Sequence, residues 1–268
     1  MFSLEVETDG EARDMLICDL WQEGSTGVVE TDLPDGRCRL RAFFDDDADA
    51  AALASRFQAS VERHAPRDWV ALSRSDWAPL EVGERFFLVP EWLEDPAPPG
   101  RLRIEINPGM ACGTGFHEAT QLCLEAMEQY LDRGMTVADV GAGSGILAIA
   151  AALLGAARVA ACDLDEAAVE IAASNVRRTG VCVLPLAGSA DAIRSGCADL
   201  IVANISAAAS IELAPGLLRC LAAGGRCVVS GFERGEADAV QTALERAGAE
   251  IERRMEKGEW RALVFHRR

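Results

Sequence analysis

No apolar run in the 268 residues approaches the roughly 20 needed to cross a bilayer. The longest, around Ile146 to Leu154, is alanine-rich and reads as a buried helix, so no membrane association is expected. The opening Met1-Phe-Ser-Leu-Glu lacks a basic stretch followed by an apolar one, so no secretory signal is expected either. Nine cysteines, at 18, 38, 112, 123, 162, 182, 197, 220 and 227, form no C-x-x-C pair. An odd, scattered set lying mostly in apolar runs reads as reduced core thiols of a cytoplasmic protein, with no metal site. No G-x-x-x-x-G-K-[ST] occurs, which argues against a nucleoside triphosphatase. Basic residues are scarce: 26 Lys and Arg face 43 Asp and Glu, a formal net charge of −17. Gripping phosphates needs clustered Lys and Arg, so direct nucleic-acid binding is not expected. The balance suits a basic partner or substrate, and equally a merely solubilising surface. No internal repeat or low-complexity tract is present.

What the chain does have is concentrated between Val137 and Asp163. A short apolar run leads into Asp139-Val-Gly-Ala-Gly-Ser-Gly145, then an alanine-rich helix, then Ala160-Ala-Cys-Asp163. The order is strand, glycine turn, helix, strand, with an acid closing the second strand. Gly141, Gly143 and Gly145 allow a sharp turn and close approach of a ligand, and the helix behind them presents its N-terminal amides. Asp163, 22 residues after Gly141, stands where a carboxylate can accept both hydroxyls of a ribose. The spacing is G-x-G-x-G and not the G-x-G-x-x-G that seats a pyrophosphate. Asp139, just ahead of the turn, would repel a pyrophosphate but suits a cationic or zwitterionic ligand. S-adenosylmethionine fits: a ribose for Asp163, an amino-acid end for the turn, and no phosphate.

With half its residues hydrophobic, the chain is long enough for a large domain and a small one. Phe2 to Thr8 alternates like a half-buried strand, Glu11 to Glu23 has helical spacing, and Gly27 to Thr31 and Cys38 to Phe44 read as strands. Ala48 to His64 reads as a second amphipathic helix. That order resembles a ferredoxin-like α+β module over residues 1–65. Acidic Asp45 to Asp49 sits where negative charge favours a helix start, and a capping role outweighs a calcium site. Residues 66–100 read as a connector, aromatic at Trp77, Phe86, Phe87 and Trp92 and ending in the turn-prone Asp95-Pro-Ala-Pro-Pro-Gly100. From 101 to 268, strands alternate with helices, which implies a doubly wound, mostly parallel sheet. A hairpin turning at Lys257-Gly258 closes it.

Two further places carry chemistry. The loop Asn107-Pro-Gly-Met-Ala-Cys-Gly-Thr-Gly-Phe-His-Glu-Ala-Thr120 can fold over a bound cofactor and exclude water, with Asn107, Gly113, Thr114 and Gly115 on the substrate side. In it, His117 has the intrinsic pKa of a general base, and serves equally well as a structural hydrogen-bonding residue. Thr120 either places its hydroxyl on the cofactor carboxylate or simply opens the next helix. Asn204 ends the strand Asp199-Leu-Ile-Val-Ala-Asn, at the carboxyl edge where open sheets bind ligands. There it can accept from an amine substrate, touch the cofactor, or make a turn. Transfer of a methyl to an amine is mostly a matter of positioning and desolvating a neutral nitrogen.

The loop is similar to the D-P-G-x-A-F-G-T-G-x-H-x-T-T signature of the PrmA family, the ribosomal protein L11 methyltransferases. Val-Gly-Ala-Gly-Ser-Gly-Ile-Leu-Ala-Ile-Ala-Ala, Asp163-Leu-Asp165, Val202-Ala-Asn-Ile205, Glu259-Trp260 and the segment Trp77 to Trp92 continue the resemblance. It is strongest from about 77 to 205 and weakest over the first 65 residues. It implies a seven-stranded Rossmann-like class I methyltransferase sheet, with Thr120, Gly141, Asp163 and Asn204 at the family's cofactor-contact positions. It further implies a small domain that recognises the ribosomal protein, and methylation of a lysine side chain or an α-amine. Asn107, Cys112 and Ala119 depart from the signature, all on the substrate side. A lysine methyltransferase for another protein, such as an electron-transfer flavoprotein subunit, is the enzymatic alternative. A non-catalytic cofactor-binding module is the alternative of another class.

Overall fold

The computed structural model describes residues 2–8, 13–25, 27–33, 37–44, 49–63, 78–106 and 117–268. The chain divides into two compact units, Met1–Asp76 and Trp77–Arg268.

The small unit runs β1 (Phe2–Thr8), α1 (Arg13–Gln22), β2 (Gly27–Asp32), β3 (Cys38–Phe44), α2 (Ala50–Phe57) and β4 (Ser60–Arg63). Its antiparallel sheet has the order β2-β3-β1-β4, the ferredoxin-like arrangement. Alternation explains the core: Phe2 and Leu4 from β1 and Leu40, Ala42 and Phe44 from β3 are buried with Leu20 and Leu53. The Phe2 and Phe44 rings stack with centroids 5.4 Å apart. Asp49 caps α2, its carboxylate accepting from Ala51 N and Ala52 N at 3.1 Å each. The second helix is shorter than its periodicity predicts. Gln58 turns left-handed at φ 49° and ends it, and Ser60–Arg63 pairs with β1 as a fourth strand. The tertiary pairing outcompetes the helical pattern there.

The larger unit opens with β5 (Leu80–Val82), β6 (Phe86–Pro90) and β7 (Leu102–Ile106), a three-stranded sheet in that order. There follow α3 (Glu118–Tyr130), β8 (Thr136–Val140), α4 (Ile146–Leu154), β9 (Arg158–Asp163), α5 (Glu166–Thr179) and β10 (Leu184–Ala187). After a short 3₁₀ turn at Ala190–Ala192 come β11 (Ala198–Asn204), α6 (Ala207–Cys220), β12 (Leu221–Glu233), α7 (Ala237–Arg246), β13 (Ala249–Lys257) and β14 (Trp260–Arg267). The main sheet has the order β10-β9-β8-β11-β12-β14-β13. Its first five strands are parallel, and β14 is antiparallel to both neighbours. One face buries α3, α4 and residues of β5 to β7, and the other buries α6 and α7. Among the described residues no helix is long and apolar enough to cross a membrane.

The sequence pattern put residues 80–100 in a connector, but they belong to the larger unit. Phe86, Phe87, Leu88 and Val89 are buried, and β6 pairs in parallel with β7. Arg101 donates to the carbonyls of Gly83 and Phe86 at 3.0 and 2.9 Å, and Arg103 to those of Leu93 and Asp95 at 2.7 and 3.0 Å. Arg178 of α5 bonds Glu91. The proline-rich stretch at 95–100 is a loop inside this unit, held by arginines.

Candidate active site

At the carboxyl ends of the parallel strands lies a cleft of about 730 Å³, where the strand order reverses between β8 and β11. The turn from β8 to α4 forms its floor. Gly141 N and Ala142 N donate to Cys162 O at 2.8 and 3.0 Å, which ties the turn to β9. Gly141 and Gly143 both line the cleft in the left-handed region, at φ 74° and 52°. A β-carbon on Gly141 would run into Ile205 Cγ2, so the turn requires glycine both for conformation and for space.

Asp163, at the end of β9, supplies the one carboxylate among the described lining residues. Its Oδ2 accepts from Gly143 N at 2.8 Å and its Oδ1 from Asp165 N at 3.0 Å. The same residue's carbonyl accepts from Gly188 N at 2.8 Å. The carboxylate is therefore held in place by backbone amides before any ligand arrives, while each oxygen keeps lone-pair capacity for a hydroxyl. Beside it, Leu164 is 77% exposed, an apolar side chain standing in the cleft. Ser189, after β10, also lines the cleft.

The opposite wall comes from α3, β11 and the closing hairpin. Asn204 Nδ2 donates to Thr120 Oγ1 at 3.0 Å, so these two candidates, 84 positions apart, meet at the cleft. With one amide N–H committed, Asn204 keeps a second donor and its Oδ1 acceptor. His117 is the N-cap of α3: its Nδ1 accepts from Ala119 N at 3.3 Å. That bond puts the ring proton on Nε2, so the residue offers a donor and no free lone pair for a base. Trp260 packs against it edge-on, with centroids 4.2 Å apart.

Two candidates are not brought to the cleft. Gly145 starts α4, with its φ at 78°. Asp139 is fully buried behind the turn, its Oδ2 accepting from Ala148 N at 3.0 Å and its Oδ1 without a partner among the described residues. Burial pushes its pKa up to about 7, with the Ala148 amide opposing and the Asp163 charge adding. Asn107, Gly113, Thr114 and Gly115 lie outside the described residues. The structure adds Leu164, Ser189, Ile205 and Ile146 to the lining. Leu164 had a readable signal, a lone apolar residue between Asp163 and Asp165, whereas Ser189 had none.

The cleft suits a nucleoside with a charged amino-acid tail. It offers a fixed carboxylate for a ribose, an exposed leucine for a base, and a glycine turn leading into a helix start. A parallel sheet with the last strand inserted antiparallel, and that cleft at its reversal point, define a class I methyltransferase architecture. The chain belongs to the ribosomal protein L11 methyltransferase (PrmA) family, which it matches from residue 5 to residue 268. It is 39% identical over 252 residues to the ribosomal protein L11 methyltransferase of Pelotomaculum thermopropionicum, covering 88% of this chain and 82% of that one. It is 36% identical to that of Gloeobacter violaceus, covering 98% and 88%. Among solved structures, the ribosomal protein L11 methylase from Lactobacillus delbrueckii subsp. bulgaricus is 34% identical, with a TM-score of 0.65, covering 72% of this chain and all of that one.

Proposed function

We propose that this protein transfers methyl groups from S-adenosylmethionine to amino groups, lysine side chains or an α-amine, of ribosomal protein L11. The observation that carries the reading is the family match from residue 5 to residue 268, because it spans the small unit as well as the cleft. That span favours L11 over another protein acceptor, and a cleft with an acceptor-side wall would be surplus to a non-catalytic module. Cytoplasmic work on a basic ribosomal protein also agrees with the net charge of −17.

When bound, S-adenosylmethionine supplies an electrophilic methyl on a sulfonium. Asp163 accepts the ribose hydroxyls, and Leu164 offers an apolar face to the base. The open backbone of Gly141 and Gly143 leaves room for the amino-acid end beside the start of α4, with the Thr120 hydroxyl next to it. Asn204 Oδ1 accepts an N–H of the incoming amine and so aims its lone pair. Trp260 and His117 close the wall and exclude water, which keeps the amine unprotonated and aligned. His117 acts here as a helix cap and Nε2 donor, not as a base.

Incubation with cofactor carrying a labelled methyl and a set of purified ribosomal proteins tests this. Label on L11 alone supports the reading. Label on a different protein, or on none, removes it.

A further inference from the structure

Asp139 sits two residues before Gly141, and its neighbours Val140 and Gly141 both line the cleft. It is fully buried, and among the described residues one carboxyl oxygen has a single amide partner while the other has none. An ionised carboxylate wants both oxygens solvated or hydrogen-bonded, so this setting favours the neutral acid. Opposite it in the sheet stands the apolar Val202 of β11. The titratable groups that face it are Asp163 and Cys162 on β9 and Cys123 on α3. Burial raises both thiols, Cys162 up to about 12 and Cys123 further, so they stay neutral near pH 7. Among the described residues Asp163 is the one carboxylate that acts on it. The described cleft lining contains neither lysine nor arginine to offset a second negative charge.

We propose that Asp139 is a positioning residue that separates the sulfonium cofactor from its thioether product, by ionising behind the glycine turn when a cation occupies the cleft. This rests on the cofactor assignment above. In the free protein Asp139 is mainly the acid below pH 7 and about half ionised at pH 7. A sulfonium in the cleft stabilises the carboxylate across a medium that screens poorly, and the proton leaves to solvent. After transfer the ligand is a neutral thioether, the stabilisation is gone, and Asp139 takes a proton back from solvent. The product is then held less firmly than the cofactor. Below pH 7 cofactor binding has to drive deprotonation, so affinity falls as the solution becomes more acidic.

Calorimetric titration of the full-length protein at pH 6, 7 and 8 tests this, with S-adenosylmethionine and S-adenosylhomocysteine each against wild type and Asp139→Asn. The asparagine keeps the shape of the neutral acid and an acceptor for Ala148 N. Titrations of the ligands themselves are common to both proteins and cancel in the comparison. An acid with a pKa of about 7 predicts that wild-type Kd for S-adenosylmethionine improves about tenfold more from pH 6 to pH 8 than the variant's. The product should show a wild-type-to-variant difference below about threefold. Equal pH slopes in the two proteins, or equal slopes for cofactor and product in wild type, overturn the proposal. Should Asp139→Asn not fold, wild type in two buffers of different ionisation enthalpy still decides. About half a proton released at pH 7 with the cofactor supports the assignment, and none removes it. Failure of S-adenosylmethionine to bind at all would instead remove the functional reading beneath it.

Discussion

The two units satisfy their polar groups in different ways. In the larger unit α4 and α5 end at glycines in the left-handed region, Gly155 and Gly180. Its α5 and α6 start from the side chains of Asp165 and Ser206. Its cleft carboxylate, Asp163, bonds main-chain amides. In the small unit α2 ends at Gln58, a left-handed non-glycine, and the polar face of the sheet carries ion pairs in water. Arg39 pairs with Glu7 and Arg41 with Glu5, each at 2.7 Å, and all four are substantially exposed. Exposed pairs of this kind contribute little to stability, because solvent screens them. One unit is a frame in which backbone positions the chemistry. The other is a charged surface whose pairs can be exchanged for a partner's at little cost.

The largest expected effect breaks the chain between them. A chain beginning at Trp77 retains β5 to β7 and should bind S-adenosylmethionine within about threefold of the full protein. It should methylate intact L11 at least a hundredfold more slowly, on the order of 3 kcal/mol of lost recognition. Equal rates on L11 would show that the small unit does not select the substrate. A chain beginning at Leu102 is not an equivalent cut, because it removes β6 and bares the apolar edge of β7.

Next in size is Asp163→Ala. It removes the acceptor of the Gly143 and Asp165 amides together with the proposed ribose contact. Charge-assisted bonds contribute about 1.5–3 kcal/mol each, so cofactor affinity should fall about a hundredfold, measured by calorimetry. A loss below threefold would take Asp163 out of the site.

These positions also show which parts of the molecule the sequence displays. The glycine turn, Asp163 and Asn204 are legible because each combines a residue type with a strand end, and backbone geometry then does the rest. The closing hairpin is legible from two short runs and a glycine. Three features are not. β4 lies under a helical pattern, and only pairing with β1 reveals it. The parallel pairing of β6 with β7 crosses the proline-rich loop, so composition suggests a boundary where there is none. Asp139 lies on β8, buried on both faces, where no alternation shows which way a side chain points.

Asn204→Ala should separate the two walls of the cleft. It removes the donor to Thr120 Oγ1 and the acceptor proposed for the amine. The expected result is a kcat about tenfold lower, corresponding to one lost hydrogen bond, with cofactor Kd changed less than about threefold. A change confined to Kd would move Asn204 to the cofactor side.

The smallest effect probes the small unit's frame. Gln58 holds φ 49° at the end of α2, a conformation that disfavours residues with a β-carbon by about 1–2 kcal/mol. Its amide still donates to Ala54 O, so the backbone there closes the helix and releases the chain into β4. Gln58→Gly keeps that geometry and removes the steric penalty. The greater freedom of glycine in the unfolded chain returns about 0.4–1 kcal/mol of the gain. The net expectation is stabilisation of a few tenths to about 1 kcal/mol, read as slower hydrogen exchange of the β1 and β3 amides, with exchange in β8 and β11 unchanged. Gln58→Pro should do the reverse, because its φ is fixed near −65° and it removes that amide donor. If the glycine variant exchanges faster instead, the left-handed turn is not a source of strain, and the contrast between the two units reduces to their ion pairs.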